Sequence, residues 1–423
     1  MSDYKKRARQ VLKRINALAA ISEDDTALTR TFGSEAFVEA SRKVAMWMLE
    51  AGLNTHIDSI GNVRGKLLSN NSEAKTFVIA SHIDTVVNAG KFDGPLGVLA
   101  GLNLLEALIN SGKEIPFHIE LIAFSDEEGV RFHTTYLGSK VVTGSFEPSL
   151  FDCIDKDGIR LKEVLNTIGS SSLSQIKKDA IPAQDWLGYF EIHIEQGPVL
   201  DDRNIPIGVV NGIAGQKRIT VEFEGFAGHA GTVPMNMRQD ALCCAAEFIL
   251  AIETYALAHK DRFVATVGKL DVFDSASNVI PGKVTCSVDL RSSDSEFLTA
   301  AAKHVEETLH LIAAKRNIRA YWKLIQNTQP ISCDKNLKQL LIRSIEKPNY
   351  PLVELTSGAG HDAVQVANVS PVCMLFVRCD KGISHNPLEN TNEDDIAAAL
   401  EVSEDFINTL ITLNPKTEWK FQH

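Results

Sequence analysis

The chain has 423 residues, of which 44% are hydrophobic and 23% charged, and carries a formal net charge of −11. That length exceeds one core, so two domains of ordinary soluble composition are expected. An acidic balance with no dense Lys/Arg run excludes the basic face of a nucleic-acid binder, while a small anionic substrate needs only a local cation.

The basic start around Lys5, Lys6 and Arg7 has no apolar stretch behind it long enough for a signal peptide, and no later run reads as a bilayer span. A cytoplasmic protein away from membranes is therefore expected. Seven cysteines without Cys-x-x-Cys spacing fit reduced thiols rather than a disulfide framework or a structural zinc site.

In chain order, Ala8, Val11, Leu12, Ile15 and Leu18 form a helix-period stripe over 4–20, and Ser34 precedes a second helical pattern over 35–51 that Gly52 stops. Strand-like runs follow at 55–58, 62–67 and 77–83, then a helix at 97–109. The third strand ends at Ser81-His82-Ile83-Asp84-Thr85, with Asp93 in the loop beyond. His82 and Asp84 alternate with Ile83 and point to one side, where an imidazole and a carboxylate suit a divalent metal and Asp84 can orient the ring. A polar loop is the commoner meaning of such a pair.

The buried strand predicted at 117–124 ends at Ser125-Asp126-Glu127-Glu128-Gly129. Adjacent side chains diverge, so one glutamate can bind metal while the other faces substrate; a solvated acidic turn is the alternative. The strand at 189–194 carries His193 and leads into Glu195-Gln196-Gly197-Pro198. Strand and helix alternate to this point, which predicts a mainly parallel α/β sheet with ligands at strand ends.

From about Asn211 the pattern becomes β-α-β-β-α-β, a compact two-layer α/β unit with its own core. The expected division is 1–210 with 328–423 around an inserted 211–327. The remaining chain returns to alternating helix and strand, with Gly358-Ala359-Gly360-His361-Asp362, Ser384-His385-Asn386-Pro387 and a closing helix over 394–413. No Gly-x-Ser-x-Gly elbow or phosphate-cradling glycine loop is present, which counts against a nucleophile-based hydrolase and a nucleotide-binding enzyme.

With these blocks aligned, together with Arg131-Phe132, Gly228-His229-Ala230-Gly231 and Pro234-Met235, the sequence resembles the amidohydrolases of the M20 metallopeptidase superfamily. The nearest group is the hydantoinase/carbamoylase branch: allantoate amidohydrolases, N-carbamoyl-L-amino acid hydrolases and β-ureidopropionases. The resemblance implies two divalent ions, manganese or zinc with cobalt as a further choice. His82 and His193 would hold one, Glu128 and His385 the other, and Asp93 would bridge them. It makes Glu127 the general base and assigns the substrate to Gln196, Gln216, His229, Asn278, Arg291, Gly360 and His361. It also implies that the inserted domain is a lid and dimerisation domain, with His229 reaching the active site of the other subunit of a homodimer to stabilise an oxyanion.

Two departures stand out. His133 occupies a position where many relatives have proline, and the run Phe376-Val377-Arg378-Cys379-Asp380 replaces the Pro-Ser that many relatives show before the final ligand. Arg378-Cys379 and Thr134-Thr135-Tyr136-Leu137 tilt the substrate toward allantoate, with N-carbamoyl-amino acids or N-carbamoyl-β-alanine as alternatives. An aminoacylase or dipeptidase is more distant, because Glu195-Gln196-Gly197-Pro198 counts against it.

Overall fold

The computed structural model describes residues 2–413 and separates into two compact units: the chain up to Asn211 together with that from Ser332 onward, and Gly212–Ile331 between. The first unit is built on strands β1 (Asn54–Ile57), β2 (Val63–Leu67), β3 (Thr76–His82), β4 (His118–Phe124), β5 (Trp186–Ile194) and β6 (Ile207–Ile213). The second contains β7 (Gly215–Glu224), β8 (Gly228–His229), β9 (Val264–Phe273), β10 (Val279–Ile280), β11 (Lys283–Ser292) and β12 (Arg319–Thr328). Three more follow, β13 (Ile331–Ser332), β14 (Glu354–Ser357) and β15 (Val372–Val377).

The large sheet runs β1-β2-β4-β3-β5-β15-β6-β13, with β14 on β6. Its centre, β4-β3-β5-β15, is parallel. The pairings β1–β2, β2–β4 and β15–β6 are antiparallel, so the sheet is mixed rather than mainly parallel. Chain length explains this correction: only five residues separate β1 from β2, enough for a hairpin and too few for a crossover. The central strands β3, β4 and β5 are buried along their whole length, including Glu120, Glu191 and His193, which interrupt their apolar runs.

Helices α1 (Ser2–Ala19), α2 (Glu35–Glu50) and α3 (Pro95–Ser111) help cover this sheet. Ser34 caps α2 by accepting the Phe37 N–H. Gly94 turns into α3 at φ 84°, and Pro95 begins the helix without losing a bond it could have made. At Gly97 a Cβ would lie 2.1 Å from the Ile192 carbonyl oxygen, so glycine lets α3 lie directly on β5. The carboxyl ends of β3, β4, β5 and β15 all open on one edge, where ligands collect in such sheets.

The second unit has a four-stranded antiparallel sheet, β12-β7-β11-β9, and a separate β8–β10 ladder. Every other residue of β11 is buried, the alternation of a sheet packed on one face. Ile219, Val221, Phe223 and Val288 meet Phe248 and Leu309 from helices Ala241–Ala258 and Ser295–Lys315 in a core of this unit's own. Helix Ala241–Ala258 is long and apolar enough to cross a bilayer, which corrects the expectation that no later run could. It nevertheless carries Glu247, paired with Lys315 and Arg316, and packs on this sheet.

Candidate metal centre and active site

His82 ends β3 and His193 lies near the end of β5, two strands that pair in parallel, so backbone hydrogen bonding alone brings the rings together. Their centroids are 5.8 Å apart, and both residues are buried. Each ring is fixed from its Nδ1 side: His82 Nδ1 is 3.0 Å from the Asp84 carbonyl, and His193 Nδ1 is 2.9 Å from that of Ile194. With Nδ1–H donating, each Nε2 presents a lone pair.

Both lone pairs face Asp93. Its Oδ1 lies 3.7 Å from His82 Nε2 and 3.2 Å from His193 Nε2, while its Oδ2 lies 3.0 Å from His385 Nε2. Glu128 Oε1 is 3.4 Å from the same His385 nitrogen. His82, Asp93 and His193 form one group of donor atoms within 4.8 Å of one another, and Asp93, Glu128 and His385 form another. His193 Nε2 is buried with no hydrogen-bond partner. Acceptor facing acceptor at these distances calls for positive charge between them, and the His and carboxylate donors suit divalent cations. The residues present therefore fit a metal pair.

Burial alone would raise the Asp93 carboxyl, but His193, His385 and His82 hold it well below the usual carboxylate range. The Asp93 contact is the main cause that lifts the His385 imidazole to about 9. Burial and then Asp93 push the Glu128 carboxyl up to about 7. Glu127, only 7% exposed, is raised well above the ordinary range by burial, with Glu128 and Asp362 adding to it and His82 opposing.

Asp84 works differently from a simple ring orienter. Its carboxylate lies 3.6 Å from His82 Nδ1, whereas its two oxygens accept the Glu127 and Glu128 N–H groups, each at 3.1 Å. The backbone carbonyl of Asp84 holds the imidazole, and its side chain pins the turn that sends the two glutamates to different places. One residue thus couples the ends of β3 and β4.

Gln196 and His385 both adopt left-handed backbone conformations, at φ 57° and 53°. Gln196 Nε2 donates to Asp93 Oδ2 at 3.0 Å, so this substrate candidate sits on the ligand cluster. His361 packs edge-on against His193 with centroids 4.5 Å apart, and its Nε2 is 2.8 Å from Ser357 Oγ. Gly360 is exposed next to it, in a loop so close that a Cβ would lie 1.8 Å from the Tyr136 hydroxyl.

Within the second unit, the four candidates fall into two pairs. Gln216 and Arg291 are register partners on β7 and β11, and both reach Asp289. Arg291 donates Nε to Oδ1 at 2.9 Å and Nη2 to Oδ2 at 3.0 Å, and Gln216 Nε2 donates to Oδ2 at 2.5 Å. His229 lies opposite Val279 on the β8–β10 ladder, and Ala230 donates its N–H to the Asn278 carbonyl, so His229 and Asn278 are neighbours.

Sequence reasoning missed Asp289 and Glu389. Asp289 precedes Arg291 by two on one strand, a spacing that puts both on one face and could have flagged it. Glu389 lies just past the Ser384–Pro387 block, and its contacts cross nearly 300 residues, which no local pattern records. Of the two departures, His133 is exposed at φ 55°. Arg378 makes a bidentate pair with Asp395, both bonds 2.8 Å, tying the end of β15 to helix Glu393–Thr412. That role is structural.

The profile of Peptidase family M20/M25/M40 matches residues 78–409. An allantoate deiminase from Arabidopsis thaliana is 39% identical over 422 residues, covering 92% of this chain and 80% of the relative. An N-carbamoyl-L-amino acid amidohydrolase from Geobacillus stearothermophilus is 38% identical over 359 residues, covering 85% and 87%. Among solved structures, an amidase of the hydantoinase/carbamoylase family from Burkholderia multivorans superposes with a TM-score of 0.89 at 30% identity, covering 96% of this chain and 98% of that one.

Proposed function

Because the chain belongs to Peptidase family M20/M25/M40, we propose that it is a two-cation amidohydrolase that cleaves a ureido C–N bond in a small carboxylate, with allantoate as substrate. It is a hydrolase of C–N bonds other than peptide bonds. The products would be ureidoglycine, ammonia and carbon dioxide. The observation that carries this reading is Asp93, whose two oxygens face different ligand groups while Glu127 lies buried against the His82 side.

His82 and His193 would hold one ion, Glu128 and His385 the other, and Asp93 both; manganese, zinc or cobalt suits this donor set. Bound cations supply a more acidic water and a polarised carbonyl. Glu127, left off the ligand set, takes the proton of the attacking water and returns it to the departing nitrogen. Arg291 clasps the substrate carboxylate with a planar guanidinium whose orientation Asp289 fixes. Gln196, Gln216, Asn278, Gly360 and His361 complete substrate binding, and His229 stabilises the oxyanion.

In this reading the second unit is the lid and dimerisation domain of a homodimer. Supporting that, helix Ala241–Ala258 is only 28% buried over its apolar span, with Leu250 and Leu257 61% and 66% exposed. All seven cysteines are free thiols, in keeping with a cytoplasmic protein.

An N-carbamoyl-L-amino acid or N-carbamoyl-β-alanine hydrolase is the second reading, favoured by the Geobacillus stearothermophilus relative. The deciding experiment is ammonia release by metal-reconstituted protein with allantoate, N-carbamoyl-L-amino acids and N-carbamoyl-β-alanine side by side. Allantoate should be turned over with the highest kcat/KM; preference for a carbamoyl substrate selects the second reading, and release from none overturns both.

A further inference from the structure

Glu389 joins the two loops that carry Asp93 and His385. It is 3% exposed and lies four residues beyond His385. One carboxylate oxygen accepts the backbone N–H of Phe92 at 2.7 Å and of Asp93 at 3.1 Å. The other is 2.9 Å from Ser384 Oγ, which is also 3.1 Å from Asp93 Oδ2. Gly90 makes room for it: a Cβ there would come within 2.2 Å of the Glu389 carboxyl carbon.

The backbone of the bridging ligand is thus held by a side chain from the loop of the second ligand group. Carboxylate-to-amide bonds of this kind are among the stronger hydrogen bonds, and two of them, with the Ser384 hydroxyl as a third donor, converge on one buried group. Neither loop can shift without the other or without leaving a buried carboxylate unsatisfied. We infer that Glu389 is a positioning residue that sets the Asp93–His385 spacing and thereby the affinity of the centre for the cation on the Glu128–His385 side. This rests on the two-cation reading above.

The test is calorimetric titration of metal-stripped full-length protein with Mn2+, alongside thermal melts of the metal-free form. Wild type should take up two ions. Glu389→Ala should bind the first as wild type does and the second about 10- to 100-fold more weakly. Glu389→Gln keeps an oxygen at the same reach and should restore the second ion, whereas Glu389→Asp, shorter by one methylene, should not. This pair also decides the matter if the alanine variant does not fold.

A Glu389→Ala protein that binds both ions normally would overturn the inference, as would equal weakening of both ions in step with a lower metal-free melting temperature. Glu389→Asp retaining the second ion while Glu389→Gln loses it would show that charge, rather than position, is what matters. Wild-type protein that takes up no Mn2+ would instead sink the metal-centre reading, a separate and recognisable failure.

Discussion

Glu127 and Glu128 are adjacent, yet the Asp84 carboxylate fixes both of their amides and sends Glu128 toward His385 while Glu127 stays behind it. Neighbouring carboxylates can therefore divide ligation from proton transfer. Glu127→Gln removes the basic oxygen but keeps the shape, so metal uptake should persist while kcat falls about 10²- to 10⁴-fold. Loss of metal measured by elemental analysis, or turnover near wild type, would remove Glu127 from the base role. The proposed clamp allows a parallel experiment. Arg291→Ala should raise KM for a carboxylate-bearing ureido substrate with Mn2+ uptake unchanged, and Asp289→Asn should raise it less, because the guanidinium loses only its anchor. Unchanged KM in Arg291→Ala would exclude it from binding the substrate anion.

The proposed metal site depends on how closely α3 lies against β5. At Gly97, a methyl group would meet the Ile192 carbonyl oxygen at 2.1 Å and the Ser81 Cβ at 2.7 Å, positions one residue before His193 and His82. The backbone oxygen cannot rotate away, so the helix must move. Gly97→Ala should cost about 1–3 kcal/mol or somewhat more through overpacking, and lower the melting temperature by several degrees in scanning calorimetry. The same displacement should weaken binding of the cation proposed to lie between His82 and His193. A melting temperature equal to wild type would mean that this interface has slack its geometry does not suggest.

On the scale of the whole molecule, the apolar helix Ala241–Ala258 buries one stripe in the second unit and leaves Leu250 and Leu257, two turns apart, exposed. If a second copy covers that stripe, Leu257→Glu should convert a dimer to a monomer in size-exclusion chromatography with light scattering, while circular dichroism stays unchanged. A monomeric wild type would overturn the dimer. Much of the design was legible in the sequence: apolar-rich runs ending in His82, Glu127-Glu128 and His193 announce buried strands with the candidate ligands at or just beyond their tips, because the hydrophobic pattern of a strand is a local property. The parallel or antiparallel sense of each sheet edge was not, since pairing is chosen by chain connections and by partners far away. Nor were the links that hold the candidate residues in place. Asp84 holding two amides of the turn after β4, Asp289 accepting from Gln216 on the paired strand, and Glu389 gripping the Asp93 loop are contacts between distant segments. A sequence by itself determines which side chains can serve as ligand, base or clamp; only the tertiary structure decides which buried acceptor faces which donor, because hydrogen bonds act over about 3 Å and chain distance does not measure that.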